Sequence, residues 1–139
     1  MIEYHYTAGF RLDDESLYSD WINRVIVSEN FKPGSISYIF CDDAYLLDLN
    51  MRHLNHDTLT DIITFDYSEN GCIAGDIFIS FERVMDNAKE YKVSGDEELH
   101  RVMAHGLLHM MDYNDKTKED IEVMRQKEFE KMKMFHVEQ

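Results

Sequence analysis

Residues 2–7 alternate, with Ile2, Tyr4 and Tyr6 set against Glu3, His5 and Thr7, and this period of two predicts a strand. Asp13, Asp14 and Glu15 supply the acidic first turn that a helix dipole favours. Leu17, Trp21, Val25 and Val27/Ser28 follow at near-helical spacing, so a helix is expected over about 14–28. Pro33 sits in a turn, Lys32-Pro33-Gly34, before the alternating segment Ser35–Cys41. That strand ends at Asp42-Asp43, residues suited to capping a second helix that carries Leu46, Leu47, Leu49 and Leu54. Asn55-His56-Asp57 reads as a loop. Ile62–Tyr67 and Ile73–Ile79 read as two strands joined by the turn Ser68–Gly71, which makes a hairpin. Ser80 can cap a third helix reaching about Val93. Ser94-Gly95-Asp96-Glu97 matches the S-x-x-E capping box and opens a fourth helix, mostly apolar after Arg101 and therefore expected to be buried. Thr117–Asp120 opens a final amphipathic helix with Ile121, Met124, Phe129 and Met132 on its apolar side.

These elements predict an α+β fold in a single domain spanning residues 1–139: a small mixed β-sheet of about four strands packed with about five helices. Composition agrees, because an apolar fraction of 44% with 12% aromatics is enough to bury a core. Charge adds a constraint. Fourteen basic against 28 acidic residues give a net charge of −14, which makes non-specific binding to nucleic acid or anionic membrane unfavourable. A polyanionic substrate would require a local reversal of the field, and a bound cation is the most compact way to provide one. Cys41 and Cys72 match no paired-ligand spacing, so no disulfide framework is expected and a reducing cytoplasm is the natural setting. The N-terminal sequence lacks the pattern of a secretory signal, and no run is long enough for a membrane span.

The segment richest in chemistry is His105-Gly106-Leu107-Leu108-His109. Histidines at i and i+4 lie on one helix face, one turn apart, where they can chelate a single cation. The pair sits in the apolar half of its helix, and buried imidazoles need partners that a metal supplies. Asp115 follows His109 at the offset where zincins with an extended histidine motif place their third ligand. Asp112 and Asn114 tolerate the left-handed backbone needed to turn the chain back toward the metal. A metal site at the end of a buried helix, held by His105, His109 and Asp115, is therefore expected. Two nitrogens and one oxygen suit Zn2+, with Fe2+ or Mn2+ as alternatives. Zinc peptidases of the H-E-x-x-H type carry their general base directly after the first histidine, and here that position is Gly106, which argues against peptidase chemistry.

His105-Gly-x-Leu-His109-x-x-x-Tyr113 resembles the signature of YbeY-type rRNA maturation factors, which are bacterial metal-dependent endoribonucleases. Leu49-Asn50 with Asp57-x-x-Thr60-Asp61-Ile62-Ile63-Thr64-Phe65, and Gly75-Asp76-Ile77-Phe78-Ile79-Ser80, resemble two further blocks of that family in matching order. The resemblance implies an α+β fold, one zinc ion, and cleavage of single-stranded RNA. It also implies roles in maturing the 3′ end of small-subunit ribosomal RNA and in ribosome quality control, with the ribosome as partner and neither membrane nor DNA involved. The chain departs from the family where Asp115 replaces a histidine, Asp112 a glycine and Asn114 an aspartate. Leu54 stands where the family commonly has an arginine thought to help catalysis. Arg52 and His56 lie nearby as candidate substrate-binding residues, although neither is an aligned replacement, and no residue is assigned a catalytic role. Alternative readings are a metallohydrolase acting on another substrate, or a ribosome-associated binding protein with a structural metal.

Other residues are expected to be ordinary. Asp61 and Asp76 read first as cap or turn acceptors, and second as carboxylates supporting a metal or water. His100 is expected at the surface, and the mixed charges from Arg125 to Lys133 on a solvated helix face.

Overall fold

The computed structural model describes residues 1–7, 9–53 and 60–136. Strand β1 (Ile2–Tyr6) leads through helix α1 (Glu15–Ser28) to β2 (Lys32–Cys41) and helix α2 (Asp43–His53). Strands β3 (Ile62–Asp66) and β4 (Cys72–Ser80) follow, and then helices α3 (Phe81–Tyr91), α4 (Gly95–Met110) and α5 (Lys118–Lys133), with a short 3-10 turn at Met134–His136. The four strands form one mixed sheet in the order β1-β2-β4-β3. β1 and β4 both run parallel to β2, while β3 pairs antiparallel with β4 as the expected hairpin and forms the sheet edge. The architecture is the α+β arrangement that the hydrophobic pattern predicts.

The principal core lies between the sheet and α1, α4 and α5. Ile36, Tyr38 and Phe40 of β2 and Ile73, Ile77 and Ile79 of β4 point into it, where they meet Trp21, Ile22 and Val25 of α1 and Val102, Met103 and Leu107 of α4. Alternation along β2 and β4 is thus explained by one fully buried face. The opposite face holds a smaller cluster, Cys41, Leu46 and Ile63, under α2. Caps fall where the sequence places them. Ser80 and Ser94 accept from the Arg83 and Glu97 N–H groups, and Thr117 and Asp120 close a reciprocal capping box.

Two expectations need correction here. Pro33 is within β2 rather than in a turn. The register shifts between Pro33 and Ile36, and a Cβ on Gly34 would come within 2.8 Å of both Cys72 Sγ and Ile73 O, so a bulge passes against β4 at a position open only to glycine. Helix α5 does not bury the stripe its apolar residues suggest. Ile121 and Phe129 are exposed, the latter 60% so, while Met124, Glu128 and Lys131 face inward. Leu54 and the loop at Asn55-His56-Asp57 lie outside the described residues. No helix among the described residues is long and apolar enough to cross a membrane.

Candidate metal centre

Helix α4 is the buried helix of the fold, and its last two turns carry His105 and His109. It can lie close to the sheet because of Gly106. A Cβ at that position would be 3.0 Å from Ile62 Cδ1 and 3.2 Å from Ile77 Cγ2. A side chain directly after the first histidine would therefore crowd these isoleucines.

The helix then stops abruptly. Asp112 has φ 72°, the left-handed region. The Asp112 N–H donates to His109 O (3.2 Å) and the Tyr113 N–H to Leu108 O (3.0 Å), the two bonds of a Schellman termination. Asp112 therefore does the work usually done by glycine, and the reversal delivers Asp115 back to the histidines. Tyr113 is anchored as well, its hydroxyl donating to Glu29 Oε1 at 2.6 Å.

The three donors converge. His105 Nε2 and His109 Nε2 are 2.9 Å apart, and Asp115 Oδ2 is 3.5 Å from the first and 3.3 Å from the second. All three lie within 4.8 Å of one another, a grouping that could hold a metal ion. Zinc bonds of about 2.0–2.2 Å at tetrahedral angles set neighbouring donors about 3.3–3.5 Å apart, so the triangle is already near the size that zinc requires. Two imidazoles and one carboxylate also form a donor set common to Zn2+, Fe2+ and Mn2+.

A pocket of about 670 Å³ opens over this cluster. Its far wall is the sheet edge, with Thr60, Asp61, Thr64 and Asp66, and Asn50 of α2 closes one side. Asp61 is therefore more than a turn acceptor. Its main-chain oxygen accepts from the Ser80 N–H, but its side chain lines the pocket. Burial raises its carboxyl above the ordinary range, against the opposing pull of Arg101 and His105. Asp76 lies half-buried on β4 and does not line the pocket. Arg52 sits on the exposed end of α2, paired with Asp48 at 3.1 Å, and is not a lining residue. His56 lies outside the described residues.

The sequence reading missed what stands behind the histidines. Glu128 of α5 is only 2% exposed, and its Oε2 accepts from His105 Nδ1 at 2.6 Å. Its Oε1 accepts from Arg101 Nη1 at 3.2 Å. Arg101 in turn grips Glu98 with two hydrogen bonds of 2.9 and 2.8 Å and lies 3.9 Å from Asp61. Burial works to raise the Glu128 carboxyl, but the hydrogen bond from His105 and the charge of Arg101 outweigh it and hold it below the usual range. Lys131, also placed on the supposed solvated face, is 1% exposed. Its ammonium donates to Glu29, Ser28 and Glu130 at 2.6–2.9 Å. His100 is likewise not a surface residue. It is buried, hydrogen-bonded to the Tyr18 hydroxyl at 3.0 Å and stacked on Phe135 with ring centroids 4.0 Å apart. The available signal for Glu128 was an acid on a helix whose apolar positions are too few for its length.

Comparison with known proteins finds relatives over nearly the whole chain. A family model described as endoribonuclease YbeY matches residues 7–136. The endoribonuclease YbeY of Flavobacterium johnsoniae is 58% identical over 139 residues, covering the whole of both chains. That of Flavobacterium psychrophilum is 54% identical over 139 residues, covering 100% of this chain and 99% of its own. Among solved structures, the solution structure of a Thermotoga maritima protein superposes with a TM-score of 0.69 at 22% identity, over 97% of this chain and 89% of that one, which supports the fold.

Proposed function

Since the chain belongs to the YbeY family, we propose that it is a metal-dependent endoribonuclease that cuts single-stranded RNA and acts in 3′-end maturation of small-subunit ribosomal RNA. The observation that carries the reading is the convergence of His105, His109 and Asp115 at the floor of an open pocket. In this reading the three residues hold one Zn2+ per chain, with Fe2+ or Mn2+ as substitutes, and residues 1–139 form a single endoribonuclease domain. When bound, the metal would supply Lewis acidity at a phosphoryl oxygen and lower the pKa of a water ligand. It would also place positive charge on an otherwise acidic molecule, at the point where a phosphodiester must approach.

The chain's own residues have separate tasks. Thr60 and Asp61, leading into the edge strand β3, and Thr64 on it offer polar contacts along the pocket wall. Arg52 and His56 are proposed to touch the RNA beyond it. The site of action is the cytoplasm, with the ribosome as partner in maturation and quality control. Peptidase chemistry is disfavoured because the position after His105 is Gly106, which supplies no general base. A purely structural metal is disfavoured because structural zinc sites close with four protein ligands, and the group found among the described residues has three.

The test is cleavage of an unstructured RNA oligonucleotide, the same sequence as a duplex, and casein, each with and without chelator. Chelator-sensitive cutting of the single strand alone supports the proposal. Chelator-sensitive casein cleavage without RNA cleavage would replace it with the peptidase reading.

A further inference from the structure

Glu128 stands behind His105 on a helix that contributes no donor to the proposed metal site. Its two carboxylate oxygens have different partners: Oε1 takes Arg101 Nη1, and Oε2 takes His105 Nδ1 at 2.6 Å. An ionised carboxylate only accepts, so His105 must carry its proton on Nδ1. In a neutral imidazole the lone pair then resides on Nε2, the atom that faces His109 Nε2 and Asp115 Oδ2. The choice between two ring tautomers, which the histidine alone leaves nearly balanced, is thus made by a residue 23 positions away in sequence.

The restraint on Glu128 is rigid. Arg101 is held by both oxygens of Glu98, which is itself 2% exposed, so the guanidinium cannot rotate away without leaving a buried carboxylate unpaired. Helix α5 is fixed to α1 by the Trp21 Nε1–H bond to Lys131 O (2.8 Å) and by the Lys131–Glu29 ion pair (2.6 Å), which sets the rotation at which Glu128 meets His105.

We propose that Glu128, braced by Arg101, is the positioning residue of the metal centre, fixing His105 in the Nδ1–H tautomer so that its Nε2 lone pair is presented to the cation. The proposal rests on the metal reading above, and adds a residue on α5 that touches neither metal nor substrate.

The test compares wild type with Glu128→Ala, Glu128→Asp and His105→Ala. The aspartate keeps the charge for Arg101 but withdraws the carboxylate by one methylene from the 2.6 Å contact. Two quantities are read. Long-range 1H–15N NMR on metal-free protein reports the His105 tautomer, and competition with a chromophoric chelator reports zinc affinity. Thermal unfolding confirms that each variant is folded.

Wild type should show the Nδ1–H form. Glu128→Ala and Glu128→Asp should shift His105 toward the Nε2–H form and weaken zinc binding by about 10–100-fold, the usual effect of removing such a partner. Should the alanine variant not fold, the aspartate variant alone decides. An unchanged tautomer with zinc affinity within about twofold of wild type would overturn the proposal. Equal zinc binding by wild type and His105→Ala would instead remove the metal reading on which it stands, so the two failures are separable.

Discussion

Replacing Lys131 with methionine should destabilise the protein out of proportion to the small change in shape. Lys131 is 1% exposed, and its ammonium reaches Glu29 Oε2 at 2.6 Å, Ser28 Oγ at 2.9 Å and Glu130 Oε2 at 2.8 Å. Removing one partner of a buried ion pair costs about 3–5 kcal/mol, because the other charge is left without compensation. Glu29 is only 13% exposed, but it keeps Lys127 at 3.0 Å and the Tyr113 hydroxyl at 2.6 Å, so a cost below that range, about 2–3 kcal/mol, applies.

Acid stability gives an independent measure. Burial works to raise the Glu29 carboxyl, but hydrogen bonds from Lys131, Tyr113 and Lys127 outweigh it and bring it from 4.5 to about 2. At about 1.4 kcal/mol per pH unit, this corresponds to at most about 3.4 kcal/mol, reduced to about 2 by the carboxylate's partial contact with water. Because the folded-state value is the lower one, the contribution is complete above pH 4.5 and is lost as pH falls toward 2. Urea unfolding at pH 7 and at pH 3 checks both statements. Lys131→Met should lose about 2–3 kcal/mol at pH 7, and Glu29→Gln should show a flatter acid limb than wild type. A loss below about 0.5 kcal/mol for Lys131→Met, the range of an ordinary surface substitution, would refute the reasoning.

Three further outcomes are expected. Asp112→Gly should raise the melting temperature by a few degrees, since relief of left-handed strain and of a negative charge at a helix C-terminus slightly exceeds the added chain entropy; calorimetry with unchanged metal stoichiometry would show it. Gly106→Ala should cost about 1 kcal/mol net, overpacking against Ile62 outweighing better helix propensity, and denaturant titration of Gly106→Ala combined with Ile62→Val should recover most of it. Asp115→His should sharpen selectivity for Zn2+ over Mn2+ in competition binding, because a third imidazole is a softer donor than a carboxylate.

Much of this was readable in the chain because burial and periodicity coincide there. Ile36, Tyr38 and Phe40 alternate with half-exposed neighbours, and Val102 through Met110 is mostly apolar because α4 is enclosed. The triad was legible through spacing, with Asp112 marking the reversal between His109 and Asp115. What failed has a common cause. Glu128, Lys131 and His100 are buried because of partners 23, 102 and 82 positions away, and no local pattern distinguishes a charge with such a partner from one facing water. Ile121 and Phe129 misled in the opposite sense. They supply an apolar period on α5 whose inward side is instead occupied by Met124, Glu128 and Lys131.

The contact at Gly106 also limits where this scaffold can travel in sequence space. The backbone at Gly106 lies against Ile62 and Ile77, so any side chain there must first find room. A single substitution that installs glutamate there does not create a half-formed peptidase. It brings a side chain against Ile62 and Ile77, which must shift or be trimmed before the new carboxylate is accommodated. The third donor is under no such constraint, since Asp115 lies on a solvent-facing segment where one acid or imidazole can replace another without repacking. Ligand chemistry at the rim is thus open to drift one step at a time. Acquisition of a base on the helix carries a packing cost at Ile62 and Ile77, so the route between hydrolytic classes is impeded by volume before reactivity enters.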